Sequence, residues 1–177
     1  MKLVAENDRI LTEACIPFDF NEPVMDPYEL SDTLQKIRRE GGGIGLAAPQ
    51  VGIDTQALVI GMGNFETKEA QEFEQIFFNP VITSFGEETE LVIEGCLSFP
   101  GLFIKVRRPK DIVMEWYTEE GTWATQNFGE MTSRILQHEV DHLNGITFQT
   151  RAHSHHLLKA KKERILSERR RKRIEKE

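Results

Sequence analysis

Apolar residues first recur at helical spacing at Leu30, Leu34 and Ile37, which mark the buried stripe of a helix. Its start is written in the residues before it. Asp26 can cap, Pro27 suits the first helical position, and Glu29 completes a capping-box spacing; Gly41-Gly42-Gly43 ends it. Short β-type runs follow at Gln56–Ile60, Gln75–Thr83, Glu90–Ile93, Leu102–Val106 and Asp111–Tyr117. Thr118-Glu119-Glu120-Gly121 reads as a hairpin turn into Thr122–Asn127, and Gly61–Glu74 as a polar, acidic loop. A second helix is predicted from Glu130 to Leu143, stopped by Asn144-Gly145. Met131, Ile135, His138 and His142 share one of its faces; Leu136, Val140 and Leu143 share another. A helix apolar on more than one side crosses a core. A last helix, Ser154 to Lys172, is basic and weakly amphipathic. The pattern predicts an α+β fold, antiparallel β-sheets around a central helix with a basic C-terminal helix, and no internal repeat.

The 177 residues, 39% hydrophobic and 29% charged, suit one globular domain. No run approaches the roughly 18 apolar residues that span a membrane. Glu6 and Asp8 precede any apolar run, which argues against a secretory signal. Two cysteines, Cys15 and Cys96, make no disulfide framework, and a reducing cytosol is expected. The net charge of −7 is unevenly spread. Residues 151–177 hold 11 of the 22 Lys and Arg but 4 of the 29 Asp and Glu, so this tail carries +7 against −14 for the first 150 residues. The body is a poor partner for nucleic acid and the tail a fair one.

The strongest chemical motif is His138-Glu139-Val140-Asp141-His142. Histidines four apart stack one turn above each other on a helix, so both imidazoles can reach one metal ion, with Glu139 placed as general base on a water. Two histidines leave a catalytic site incomplete, since three protein ligands and one open position are usual. Cys96, in Glu94-Gly95-Cys96-Leu97-Ser98, is the candidate third ligand; the alternative for a lone cysteine is an inert core residue, which is the reading for Cys15. His153, His155 and His156 read as solvated. The segment Gly43-Ile44-Gly45-Leu46-Ala47-Ala48-Pro49-Gln50 reads as a tight loop between helix and strand. Its glycines let backbone approach a ligand, and Gln50 offers an amide to a carbonyl. Arg108 is a candidate partner for Asp141 or Glu94.

Together and in this order, segments 43–50, 94–98 and 137–143 resemble the three signature motifs of the peptide deformylase family, and the resemblance covers most of residues 1–150. It implies Cys96, His138 and His142 as metal ligands and Glu139 as general acid/base, with Gln50 and the Leu97 N–H as an oxyanion hole. One iron(II) ion per chain is expected, with zinc, nickel or cobalt able to substitute. The implied reaction releases formate from formyl-methionyl nascent peptides.

An apolar pocket for the methionine is expected from Ile44, Met131 and Ile135, with peptide backbone pairing along Gly43–Gly45. Residues 1–150 are then the catalytic domain, and 151–177 a basic helical extension that meets the ribosome by phosphate contact. A monomer is expected, cytoplasmic or organellar, or virus-encoded and acting in a bacterial-type cytosol, with no membrane partner. Two rival readings leave residues without a role. A zinc endopeptidase leaves Glu94–Ser98 unexplained, and a non-catalytic ribosome-binding module leaves Glu139 and Gln50 unexplained.

Overall fold

In strand β2 (Ala57–Met62) every residue from Ala57 to Ile60 is buried, as expected of a strand covered on both faces. The molecule is seen here in a computed structural model that describes residues 1–62 and 73–174. β2 lies inside an antiparallel sheet formed with β1 (Gly45–Ala47), β3 (Phe73–Phe85), β6 (Ile112–Tyr117) and β7 (Trp123–Phe128), in the order β1-β2-β3-β6-β7. Strands β4 (Thr89–Glu94) and β5 (Ile104–Pro109) form a separate antiparallel pair.

The period-two rule divides the large sheet between two helices. Leu58, Ile60, Phe77, Met114 and Trp116 point to one face and pack against Leu136, Val140 and Leu143 of α2 (Glu130–Leu143). Ala57, Val59, Ile76 and Phe78 point to the other and pack against Leu30, Leu34 and Ile37 of α1 (Pro27–Glu40). A third core joins β5 to the short helix α3 (Phe148–Arg151), to Leu11 and to Ala160 of α4 (Ser154–Ile174). Leu34 is fully buried, and its truncation to alanine costs about 2–5 kcal/mol.

Both helix ends named from sequence are built as expected. The Asp26 carboxylate accepts from the N–H groups of Tyr28 and Glu29. At the end of α2, Gly145 takes φ +68°. Its N–H donates to the His142 carbonyl and that of Ile146 to the Asp141 carbonyl, a Schellman closure. The 118–121 turn closes with Gly121 at φ +70°.

Other expectations are corrected. Gly61 and Met62 end β2, and Phe73 and Glu74 begin β3, so four residues of the supposed 61–74 loop are strand; residues 63–72 lie outside the described residues. The strand placed at Leu102–Val106 runs Ile104–Pro109, because Phe99–Leu102 close turns of their own. The loop expected at 43–50 holds β1 and a 3-10 turn, Ala48–Val51, since three residues suffice to pair with β2. The last helix continues to Ile174.

Candidate metal centre and catalytic cleft

Helix α2 carries the chemistry through the interior. Every residue from Ser133 to Leu143 is buried. A histidine inside such a helix needs partners for both ring nitrogens. His138 gives Nδ1 to Glu94 Oε2 at 3.0 Å, which leaves Nε2 to face the cleft. His142 Nε2 lies 3.2 Å from Cys96 Sγ. Cys96 follows β4, where Gly95 lets the chain pass Phe103; a β-carbon there would stand 2.8 Å from that ring. The ligand atoms of Cys96, His138 and His142 all lie within 4.8 Å of one another.

Two observations show that this donor set suits a metal ion. The buried Glu139 Oε2, beside the cluster, has no hydrogen-bond partner among the described residues. The site also favours positive charge. Burial would depress the pKa of His138, but Cys96 and the Glu94 and Glu139 carboxylates outweigh it and raise the value. A field that holds a proton on a buried imidazole will also hold a cation in its place. His142 stays neutral, because burial first, then His138 and Arg108, hold its pKa well below the ordinary range. Thiolate and imidazole together suit iron(II), zinc, nickel or cobalt.

Behind the histidines stands a buried ionic network. Arg108 of β5 donates Nε and Nη2 to the two Glu94 oxygens at 2.7 and 3.0 Å, and Nη1 to Asp141 Oδ2 at 2.8 Å. Both partners considered from sequence are therefore used. Arg134, one turn before His138, donates to Glu94 Oε1 at 2.7 Å and to the carbonyls of Glu90 and Val106. Arg151 pairs with Asp141 at 2.6 Å. Burial opposes the charge on Glu94, yet the bonds from His138 and Arg108 outweigh it and bring its pKa down to about 2. Its carboxylate thus orients His138 across the physiological range.

Gln50 is buried and fixed. Its Oε1 accepts from the Ala47 N–H at 2.8 Å, and its Nε2 lies 3.1 Å from Ser98 Oγ and 3.5 Å from Cys96 Sγ, so the amide donor points toward the sulfur. Leu97 sits in the turn closed by the Phe99 N–H on the Cys96 carbonyl. Its side chain rests against Gly43, where a β-carbon would meet Leu97 Cδ1 at 2.6 Å. At Gly45 a β-carbon would collide with Glu139 Oε1 and stand 2.9 Å from the carboxyl carbon. Glycine is thus required for strand β1 to lie against Glu139. Burial raises the Glu139 carboxyl to about 7, a value suited to passing a proton in either direction near neutral pH.

These residues line a cleft of about 450 Å³ that includes Gly43, Ile44, Gly45, Gln50, Cys96, Leu97, His138 and Glu139. An adjoining pocket of about 160 Å³ is lined by Ile44, Ile93, Met131 and Ile135 among others. Of these four apolar residues, Ile135 alone is buried. Met131 is 52% exposed and Ile44 40%, so Met131 is not the inward residue its helical spacing suggested. It stands on the first turn of α2, where the helix emerges from the core.

Sequence reasoning missed Arg134, Gln35 and Arg38. Arg38 is buried at the end of α1 and donates Nη1 to the carbonyls of Gly43 and Gly61 at 2.9 and 3.1 Å, beside Gln35 and Glu74. A signal existed for Arg134, four residues before His138 on the same helix face, and for Arg38, four residues after Leu34; Gln35 offered none.

A sequence model of the family described as polypeptide deformylase matches residues 1–157. The chain is 39% identical over 137 residues to a peptide deformylase of Synechocystis sp., covering 73% of this chain and 72% of that one. It is 38% identical over 145 residues to one of Thermosynechococcus vestitus, covering 78% and 76%. Among solved structures, a Synechococcus elongatus peptide deformylase in complex with actinonin superposes with a TM-score of 0.81 at 30% identity over 90% of this chain and 85% of that one. A Met-Ala-Ser-bound class I type b peptide deformylase of Acinetobacter baumannii gives 0.77 at 33% over 85% and 97%.

Proposed function

The chain belongs to the polypeptide deformylase family, and on that premise we propose how its residues perform the reaction. It is an enzyme that hydrolyses the formyl group from the N-terminal methionine of new polypeptides and releases formate. Cys96, His138 and His142 hold one metal ion, for which iron(II) is our assignment. When bound, that ion supplies the Lewis acidity that makes a water nucleophilic near neutral pH and polarises the formyl carbonyl.

The chain's own residues do the rest. Glu139 accepts the proton of the attacking water and returns it to the leaving nitrogen, and its raised pKa suits both transfers. The Gln50 amide, held by Ala47 and Ser98, and the Leu97 N–H donate to the developing oxyanion, each worth about 3 kcal/mol in comparable sites. Gly43–Gly45 offers backbone to the peptide. The pocket of Ile44, Ile93, Met131 and Ile135 takes the unbranched methionine side chain.

One observation carries the reading: a buried glutamate with an unpartnered oxygen, pressed against a glycine and beside a Cys-His-His cluster. The test is formate release from formyl-Met-Ala-Ser by anaerobically prepared iron(II) protein. Wild type should release formate and Glu139→Ala, still metal-loaded, should not. A folded, loaded wild type without activity would refute the proposal.

The second part concerns α4, whose only buried residue is Ala160 among many basic ones. We assign it phosphate contact with the ribosome, by a monomer acting in the cytosol. No helix among the described residues is long and apolar enough to cross a membrane. Arg169→Glu with Arg170→Glu should abolish salt-sensitive ribosome binding without loss of activity. Equal binding by this variant would refute the assignment.

A further inference from the structure

Away from the cleft, the joint between α3 and α4 gathers His153, His155 and His156. The fold brings them together for a local reason. His153 precedes α4, and its carbonyl accepts from the N–H groups of His156 and Leu157, so it occupies the capping position. Its side chain folds back over the first turn and Nδ1 lies 3.4 Å from the His155 N–H. That fold places His153 Nδ1 and His155 Nδ1 2.7 Å apart, where the two rings hydrogen-bond to each other and an arriving ion would replace the shared proton. The His156 ring lies tilted against that of His155, 3.8 Å between centroids.

We propose that His153 and His155 form a second, peripheral transition-metal site. With metal–nitrogen bonds of about 2.0–2.1 Å, the observed nitrogen separation subtends about 80° at the ion. That is close to the cis angle of tetragonal and octahedral ions and far from the tetrahedral one, so the site suits nickel(II) or copper(II). The imidazoles are exposed or half-buried and need only shed a proton or a water. Partial desolvation, then His155, Lys105, His153 and Lys159, hold His156 below its ordinary pKa, so its lone pair is free near neutral pH. Lys105, Lys159 and the start of α4 oppose a cation, and Glu163, which lines the same groove, favours one. That groove, which His155 and His156 line, also includes Phe103, a residue that lines the catalytic cleft as well.

The test uses the nickel-loaded enzyme dialysed against micromolar free Ni²⁺, followed by metal analysis of the protein. Wild type should take up one ion beyond the catalytic one. His153→Asn, which keeps a good capping residue at the start of α4, and His155→Gln should each lose that extra ion with formate release unchanged. Cys96→Ser should keep the extra ion while losing the catalytic one. No extra ion in wild type, its retention by either histidine variant, or its loss in Cys96→Ser would overturn the proposal.

Discussion

Arg108→Met removes one side chain that ties two carboxylates behind the metal cluster. The guanidinium is buried and makes three charge-assisted bonds, two to Glu94 and one to Asp141. Breaking a buried pair of this kind typically costs about 3–5 kcal/mol, because the remaining charge loses its compensation. Neither carboxylate is fully abandoned: Glu94 keeps Arg134 and His138, and Asp141 keeps Arg151. Methionine nearly conserves the volume, so the cavity contribution is small. The expected loss is therefore near the lower bound, about 3 kcal/mol, or a fall of roughly 6–12 °C in Tm for a chain of this size. Glu94, drawn toward Arg134, also relaxes its hold on His138 Nδ1, and metal affinity should fall about 10- to 100-fold. Thermal melts of the metal-loaded protein and metal retention against graded chelator read the two effects. Arg151→Met is the control: it meets the same Asp141, but its side chain is 48% exposed, and it should cost about 1 kcal/mol or less. A change within about 1 kcal/mol for Arg108→Met, with metal affinity intact, would refute the account of this network.

Gly45→Ala should leave fold and metal content intact but displace Glu139, lowering kcat about 100-fold in the formate assay; wild-type kcat would mean the carboxylate has another place to sit. Arg38→Met frees the Gly43 and Gly61 carbonyls and should raise KM more than it lowers kcat, with about 2–4 kcal/mol lost in urea unfolding; an unchanged KM would show that β1 holds its shape alone. Burial pushes the Cys15 thiol up to about 12, so between about pH 9 and that value the native state keeps a proton that the unfolded chain loses, and stability contributed here declines as pH rises. At pH 8.5 iodoacetamide should therefore spare Cys15 in the folded protein and label it in urea, as followed by peptide mass analysis; rapid labelling of the native form would contradict its burial.

Much of the site was legible because its information is local. Two histidines four apart share a helix face whatever surrounds them, and the helix ends at Asp26 and Asn144-Gly145 depend only on neighbouring backbone groups. The motif at 94–98 proposed Cys96, and the fold places its sulfur at the two imidazoles. What the chain alone could not decide is long-range. Arg108 could have served Glu94, Asp141 or solvent; it serves both acids because β4 pairs with β5 and α2 lies across them. Arg134, unassigned from sequence, meets Glu94 through that same geometry. Helical spacing put Met131 with His138, but spacing gives direction without depth, and on the first turn of α2 Met131 stays 52% exposed. The division of β2 between two cores has the same cause. Alternation along a strand is local, whereas which helix covers each face is settled only when distant segments pack.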